Sequence, residues 1–110
     1  MKVFLDESVD WRLSGDIVGH EVATAQQMQW AGLKNGDLLA RVSRRFDVFI
    51  TVDRNLAFQQ NLDNYGLAVV ILKTKSNRLA DLRMLVPALL RLLRKPVPKR
   101  LHTIDATSAG

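Results

Sequence analysis

Two short apolar runs in this chain each end on an acid: Val3-Phe4-Leu5 gives way to Asp6-Glu7, and Val48-Phe49-Ile50-Thr51-Val52 gives way to Asp53. Runs of this length, rich in β-branched and aromatic residues, are the pattern of strands buried on both faces of a parallel sheet. In an open α/β sheet the ligand lies outside the carboxyl ends of the strands, which is where both acids are expected. Carboxylates brought together repel unless a cation or proton intervenes. The pattern therefore predicts a divalent-metal site.

The rest of the chain alternates in the same way. A short helix over Val9 to Leu13, capped by Ser8, is expected after the first strand, residues 2 to 5. Residues 19 to 25 form a shorter, less apolar second strand nearer an edge, followed by an irregular or single helical turn over residues 26 to 32. Asn35 or Gly36 opens a clear helix in which Leu38, Leu39, Val42 and Phe46 share a face, with Asp37 in its first turn and Arg44 and Arg45 near its end. Asp53 leads into a helix over Asn55 to Asn61, and Leu67 to Leu72 is a fourth buried strand. A long leucine-rich helix from Arg78 to Arg94 follows, capped by Ser76 or Asn77, and Pro87 must kink it or start a new turn. Arg100 to Ala106 gives a last strand, and residues 107 to 110 are expected to fray. This order indicates one domain over residues 1 to 106, a three-layer α/β/α sandwich with a mainly parallel sheet of four to five strands.

Composition narrows the function classes. A length of 110 residues with 47% apolar content supports one modest core. Cysteine is absent, which excludes disulfides, thiolate zinc sites and cysteine nucleophiles, so metal ligands must come from Asp, Glu, Asn or the two histidines. No apolar stretch reaches the roughly 18 residues of a membrane span, and the chain opens on a strand rather than a charged-then-apolar signal. A cytoplasmic protein without a membrane partner is expected.

The charge is uneven. Residues 1 to 72 carry nine acids and seven bases, whereas residues 73 to 101 carry nine bases and the single acid Asp81. Such a basic third attracts a polyanion, usually RNA or DNA, or else forms a solvated face or pairs with an acidic protein. The wide leucine face of the 78–94 helix has two readings as well: a central core element, or a surface that seals a homodimer.

Each candidate acid has two roles open to it. Asp6 and Asp53 either ligate a metal or cap the helices that follow them. Asp37 is a third ligand or only a favourable first-turn acid, and Glu7 is an auxiliary ligand, a water-orienting base, or simply exposed. Taken jointly, Asp6, Asp37 and Asp53 suit Mg2+ or Mn2+, hard cations that take carboxylate oxygens and retain water. An ion so held activates water for attack on a phosphodiester. Lys34, Arg54, Lys73 and Arg78, near strand exits or helix starts, are candidate phosphate contacts. Trp11 and Trp30 read as core or dimer-surface aromatics, with base stacking as the alternative. His20 and His102 lack ligand-like spacing.

The strings FLDES at 4 to 8, WAGLKNGDLLA at 30 to 40 and FITVDRNLAF at 49 to 58, in this order, resemble the PIN-like ribonucleases. The likeness is to their short bacterial branch, related to the VapC-type toxins, and it covers roughly residues 2 to 95. The resemblance implies an α/β/α sandwich whose acids bind magnesium or manganese and cut RNA, here as the toxin of a type II toxin-antitoxin pair. It also implies a cognate antitoxin and frequent homodimerisation. By position, Asp6, Asp37 and Asp53 match the family's acids, and Glu7 matches a second acid of this branch. Asn55 stands where the branch often has a further acid, offering a carbonyl oxygen without charge.

Two other classes share parts of this pattern. A non-catalytic module that binds nucleic acid or a partner keeps the fold and the basic face without a metal. Phosphoacceptor receiver domains also carry an acid pair after the first strand and an acid after the third. They close the fourth strand on Ser or Thr and the fifth on Lys, whereas this chain has Leu72-Lys73 and no lysine in residues 100 to 106.

Overall fold

The computed structural model describes residues 1–109. Five strands, β1 (Lys2–Leu5), β2 (Glu21–Thr24), β3 (Val48–Thr51), β4 (Ala68–Leu72) and β5 (Leu101–Ile104), form one sheet in the order β2-β1-β3-β4-β5. Every neighbouring pair is parallel. The three-layer α/β sandwich expected from the alternating runs is the architecture observed, and β2 lies at an edge as its weaker apolar pattern predicts.

Strand alternation divides the core into two layers. Val3 and Leu5, Val48 and Ile50, and Ala68, Val70 and Leu72 meet Leu13, Ile17, Leu82, Leu85, Leu89 and Leu93 on one side. Phe4, Phe49 and Val69 meet Leu38, Leu39, Val42 and Leu56 on the other. The second layer is the aromatic one: Phe4 stacks on Phe49 at 5.5 Å and lies 5.8 Å from Trp30, over which Arg45 sits at 5.9 Å. Trp30 is thus a packing residue.

Helices α1 (Ala25–Met28), α2 (Asn35–Arg45) and α3 (Leu56–Gln59) cover the aromatic side, together with a 3₁₀ turn at Leu62–Tyr65. The other side is covered by a 3₁₀ segment at Trp11–Asp16 and by α4 (Leu79–Arg83) and α5 (Val86–Leu93). Pro87 lies in the first turn of α5, where its missing N–H costs nothing. The expected long helix is therefore two, and the break lets both pieces turn leucines onto the sheet. Leu82, Leu85, Leu89 and Leu93 are buried there, so the core absorbs most of the leucine face.

The helix expected over Val9 to Leu13 is displaced and tighter. Asp10, not Ser8, caps it by accepting from the Arg12 N–H at 3.0 Å, and the segment winds as a 3₁₀ helix. The first helical turn of α1 is closed by a reciprocal box between Thr24 and Gln27. Ala106–Ala109 form a last 3₁₀ turn in the stretch expected to fray; Gly110 lies outside the described residues. Among the described residues, no helix is long and apolar enough to cross a membrane.

Candidate functional site

The strand order reverses between β1 and β3: the chain leaves β1 toward β2 on one side and returns to build β3, β4 and β5 on the other. Such a switch point opens a crevice at the carboxyl ends of the two strands. Register places Leu5 opposite Ile50, and the Asp6 N–H continues the ladder by donating to the Ile50 carbonyl at 2.9 Å. Asp6 therefore lies level with Thr51, at the mouth of that crevice.

A compact polar knot fills the position. Asp6 is half-buried, and its Oδ2 accepts from the Ser8 hydroxyl at 2.7 Å and from the fully buried Thr51 hydroxyl at 2.9 Å. Thr51 Oγ1 in turn accepts from the Asp53 N–H at 3.0 Å. One hydroxyl thus joins the two strand-end acids. Asp53 Oδ1 accepts from the Asn55 N–H at 2.9 Å, a local turn that starts α3. Each acid is fixed through one oxygen, and among the described residues its second oxygen receives no hydrogen bond.

The remaining candidates surround this pair without joining it. Glu7 is exposed, and its Oε1 accepts from the Gly32 N–H at 3.0 Å, holding the loop after α1 against the exit of β1. Gly32 has φ +86°, a left-handed conformation that suits glycine. Asp37 is exposed in the first turn of α2, whose N-cap Lys34 offers no side-chain cap, a position where a negative charge suits the helix dipole. Asn55 is exposed and gives no side-chain cap to α3. Arg54 reaches from the exit of β3 to the Thr74 carbonyl at 2.9 Å, linking it to the exit of β4. Lys34, Lys73 and Arg78 are exposed around the same edge of the sheet.

Among the described residues, no group of three or more His, Asp or Glu side chains is placed to hold a metal ion. The structure brings Asp6 and Asp53 to adjacent strand exits but does not gather Asp37 and Glu7 with them into one cluster. Two carboxylates with free oxygens still fit magnesium or manganese, since magnesium is often held by one or two acids, with water and substrate phosphate completing the shell.

Two residues of the knot have no role in the sequence expectations beyond a strand and a cap: Thr51 and Ser8. Their signal is positional. Thr51 is the one polar residue inside the Val48–Val52 run, and Ser8 stands two residues after Asp6 as Thr51 stands two before Asp53. His102 is buried with Nε2 2.8 Å from the Pro98 carbonyl, while Nδ1 of His20 is buried without a partner among the described residues; both lie away from the crevice.

No protein-family model, curated protein or solved structure matches this chain.

Proposed function

We propose that the chain is a metal-dependent endoribonuclease acting at the β1/β3 crevice, with Asp6 and Asp53 as the ion-holding acids. The observation that supports this most directly is the hydrogen-bonded knot in which Thr51 joins Asp6 to Asp53 while each keeps an uncommitted oxygen. The basic residues around that edge and the likeness of three ordered motifs to PIN-like ribonucleases point the same way.

Asp6 and Asp53 would hold magnesium or manganese, which would supply Lewis-acid chemistry: charge neutralisation on the phosphate and acidification of a water. The chain's own part is positional. Ser8 and Thr51 hold the Asp6 carboxylate, the turn at Asn55 holds Asp53, and Lys34, Lys73 and Arg78 draw the polyanion to the edge. A role as the toxin of a toxin-antitoxin pair, restrained by a cognate antitoxin, follows from the family likeness. The test is cleavage of single-stranded RNA with Mg2+ or Mn2+, alongside induced expression in a bacterial host. Cleavage and growth arrest by the parent, both lost in Asp53→Asn at equal protein level, support the proposal; identical behaviour of parent and variant removes it.

A second reading is favoured by one observation, the strand order β2-β1-β3-β4-β5 with an acid after β3, which is also that of phosphoacceptor receivers. The exit of β5 carries Asp105 where that chemistry uses a lysine. Incorporation of phosphate at Asp53 from a small phosphodonor, without RNA cleavage, would select this alternative.

A further inference from the structure

Trp11 is 60% exposed, although tryptophan is among the side chains with most to gain from burial. The backbone that carries it is held in place. Its neighbours Asp10 and Arg12 clamp each other across it, with Arg12 Nε and Nη2 donating to the two Asp10 oxygens at 3.1 and 2.7 Å and the Arg12 N–H adding a third bond. Trp11 is the first residue of the 3₁₀ segment, between these two paired side chains.

Beside it opens a cleft of about 430 Å3, lined also by Glu7, Ser8, Arg12, Gln26 and Asn77. It is a shallow depression open to solvent, not an enclosed cavity. Of the acids at the cleft, Asp10 is paired with Arg12, which offsets its charge toward a phosphate, while Glu7 accepts from the Gly32 N–H and keeps its charge. Gln26 and Asn77 are exposed, and among the described residues neither side-chain amide makes a hydrogen bond. A primary amide carries a donor and an acceptor side by side, the pairing that matches a base edge. Ser8 belongs both to this cleft and to the Asp6 knot, so an occupant here borders the proposed cleavage centre.

We propose that this cleft is a nucleobase subsite, in which an unpaired base of single-stranded RNA stacks on Trp11 with its edge toward Gln26 and Asn77. The inference rests on the nuclease reading and names its substrate class: RNA whose bases are free to leave a helix. A flat aromatic accepts any base by its π face, and the amides add preference.

The test is fluorescence anisotropy of a short labelled oligoadenylate with the full chain in a chelating buffer, so that binding is read without cleavage. Trp11→Ala is expected to weaken binding about tenfold or more, the loss that follows removal of one stacking aromatic, and Trp11→Phe to retain most of the affinity. Trp11 is exposed, so unchanged thermal unfolding is expected for both variants. Parent and Trp11→Ala binding within twofold of each other overturns the subsite while leaving the nuclease reading intact. A parent that neither binds nor cuts RNA overturns that reading and the subsite with it. Conversion of a dimer to a monomer by Trp11→Ala, with RNA affinity unchanged, assigns the indole to a second copy of the chain and also overturns the proposal.

Discussion

The two ends of the sheet use the same kind of acid in opposite ways. At the amino end, Asp47 precedes β3, and its Oδ2 accepts from the Lys2 N–H at 2.9 Å while its own N–H donates to the Lys2 carbonyl at 2.8 Å. This is an exposed clasp that extends the β1–β3 ladder. At the carboxyl end, Asp6 spans the same two strands, but its donors are the hydroxyls of Ser8 and Thr51 and its setting is half-buried. A backbone N–H is present at almost every position, whereas a hydroxyl has to be specified residue by residue. Two specified hydroxyls, one of them from the neighbouring strand, constrain the Asp6 carboxylate more than one backbone amide constrains that of Asp47. The comparison teaches how differently two acids that join β1 to β3 can be held; Asp53, with a single bond from the Asn55 N–H, is held like Asp47, and it is Asp6 that the hydroxyls set apart.

Removing charge at each end gives the largest expected contrast. In the RNA cleavage assay, Asp6→Asn and Asp53→Asn should fall beyond the roughly 100-fold loss that follows when a metal ligand merely loses its supporting partner, while Asp47→Asn should keep nearly full activity. Removing divalent ions with a chelator should match the Asp6→Asn result, with recovery on adding Mn2+. Equal losses at Asp6 and Asp47 would break the contrast between the two ends. Thr51→Val sharpens it: about 10–100-fold loss is expected, because the acid stays but its orientation goes.

Stability separates the same positions on a smaller scale. Thr51 is fully buried, donates to Asp6 and accepts from the Asp53 N–H. The near-isosteric Thr51→Val leaves that N–H without its acceptor and should cost about 1–3 kcal/mol in denaturant unfolding. Asp47→Asn preserves an acceptor for the Lys2 N–H at an exposed site and should stay within about 0.5 kcal/mol of the parent. A larger cost at Asp47 than at Thr51 would mean that the amino-end clasp, not the knot, anchors β1 to β3.

How much of this was legible in the sequence follows the range of each interaction. The apolar runs at 3–5, 48–52 and 67–72 carried the parallel sheet because double-sided burial leaves a local mark. That Asp6 and Asp53 sit at neighbouring exits depends on β1 pairing with β3, a strand order that the alternation of strands and helices does not fix. Asp37 shows where periodicity stops informing: its place in the first turn of α2 was clear, but its distance from the strand-end acids depends on how α2 docks, a tertiary quantity. Ser8 is ambiguous in the sequence because a hydroxyl after a strand serves equally as a helix cap or a carboxylate donor, and the choice depends on Thr51, which is 43 residues away. The exposure of Trp11 had no sequence signal, since aromatic residues are ordinarily counted toward the core.

Asp10 supplies the smallest and most direct test of how a donor holds an acid. It lies at the surface, and the Arg12 side-chain hydrogen bond, then the Arg12 backbone N–H, pull its carboxyl from an ordinary 3.8 down to about 2. A carboxyl lowered in the folded state contributes stability that is present above its unfolded value and is lost as pH falls through the folded one. The effect of this pair therefore belongs to the window between about 4 and about 2 and is screened by salt, as for any exposed ion pair. Carboxyl chemical shifts followed through an acid titration should place Asp10 near 2 in the parent. In Arg12→Ala the midpoint should rise most of the way to the ordinary value, stopping short because the backbone N–H at position 12 still donates to Oδ1. A midpoint that Arg12→Ala leaves unmoved would show that the backbone cap alone holds Asp10, placing it with Asp47 among acids satisfied by amides and removing the guanidinium clamp beside Trp11.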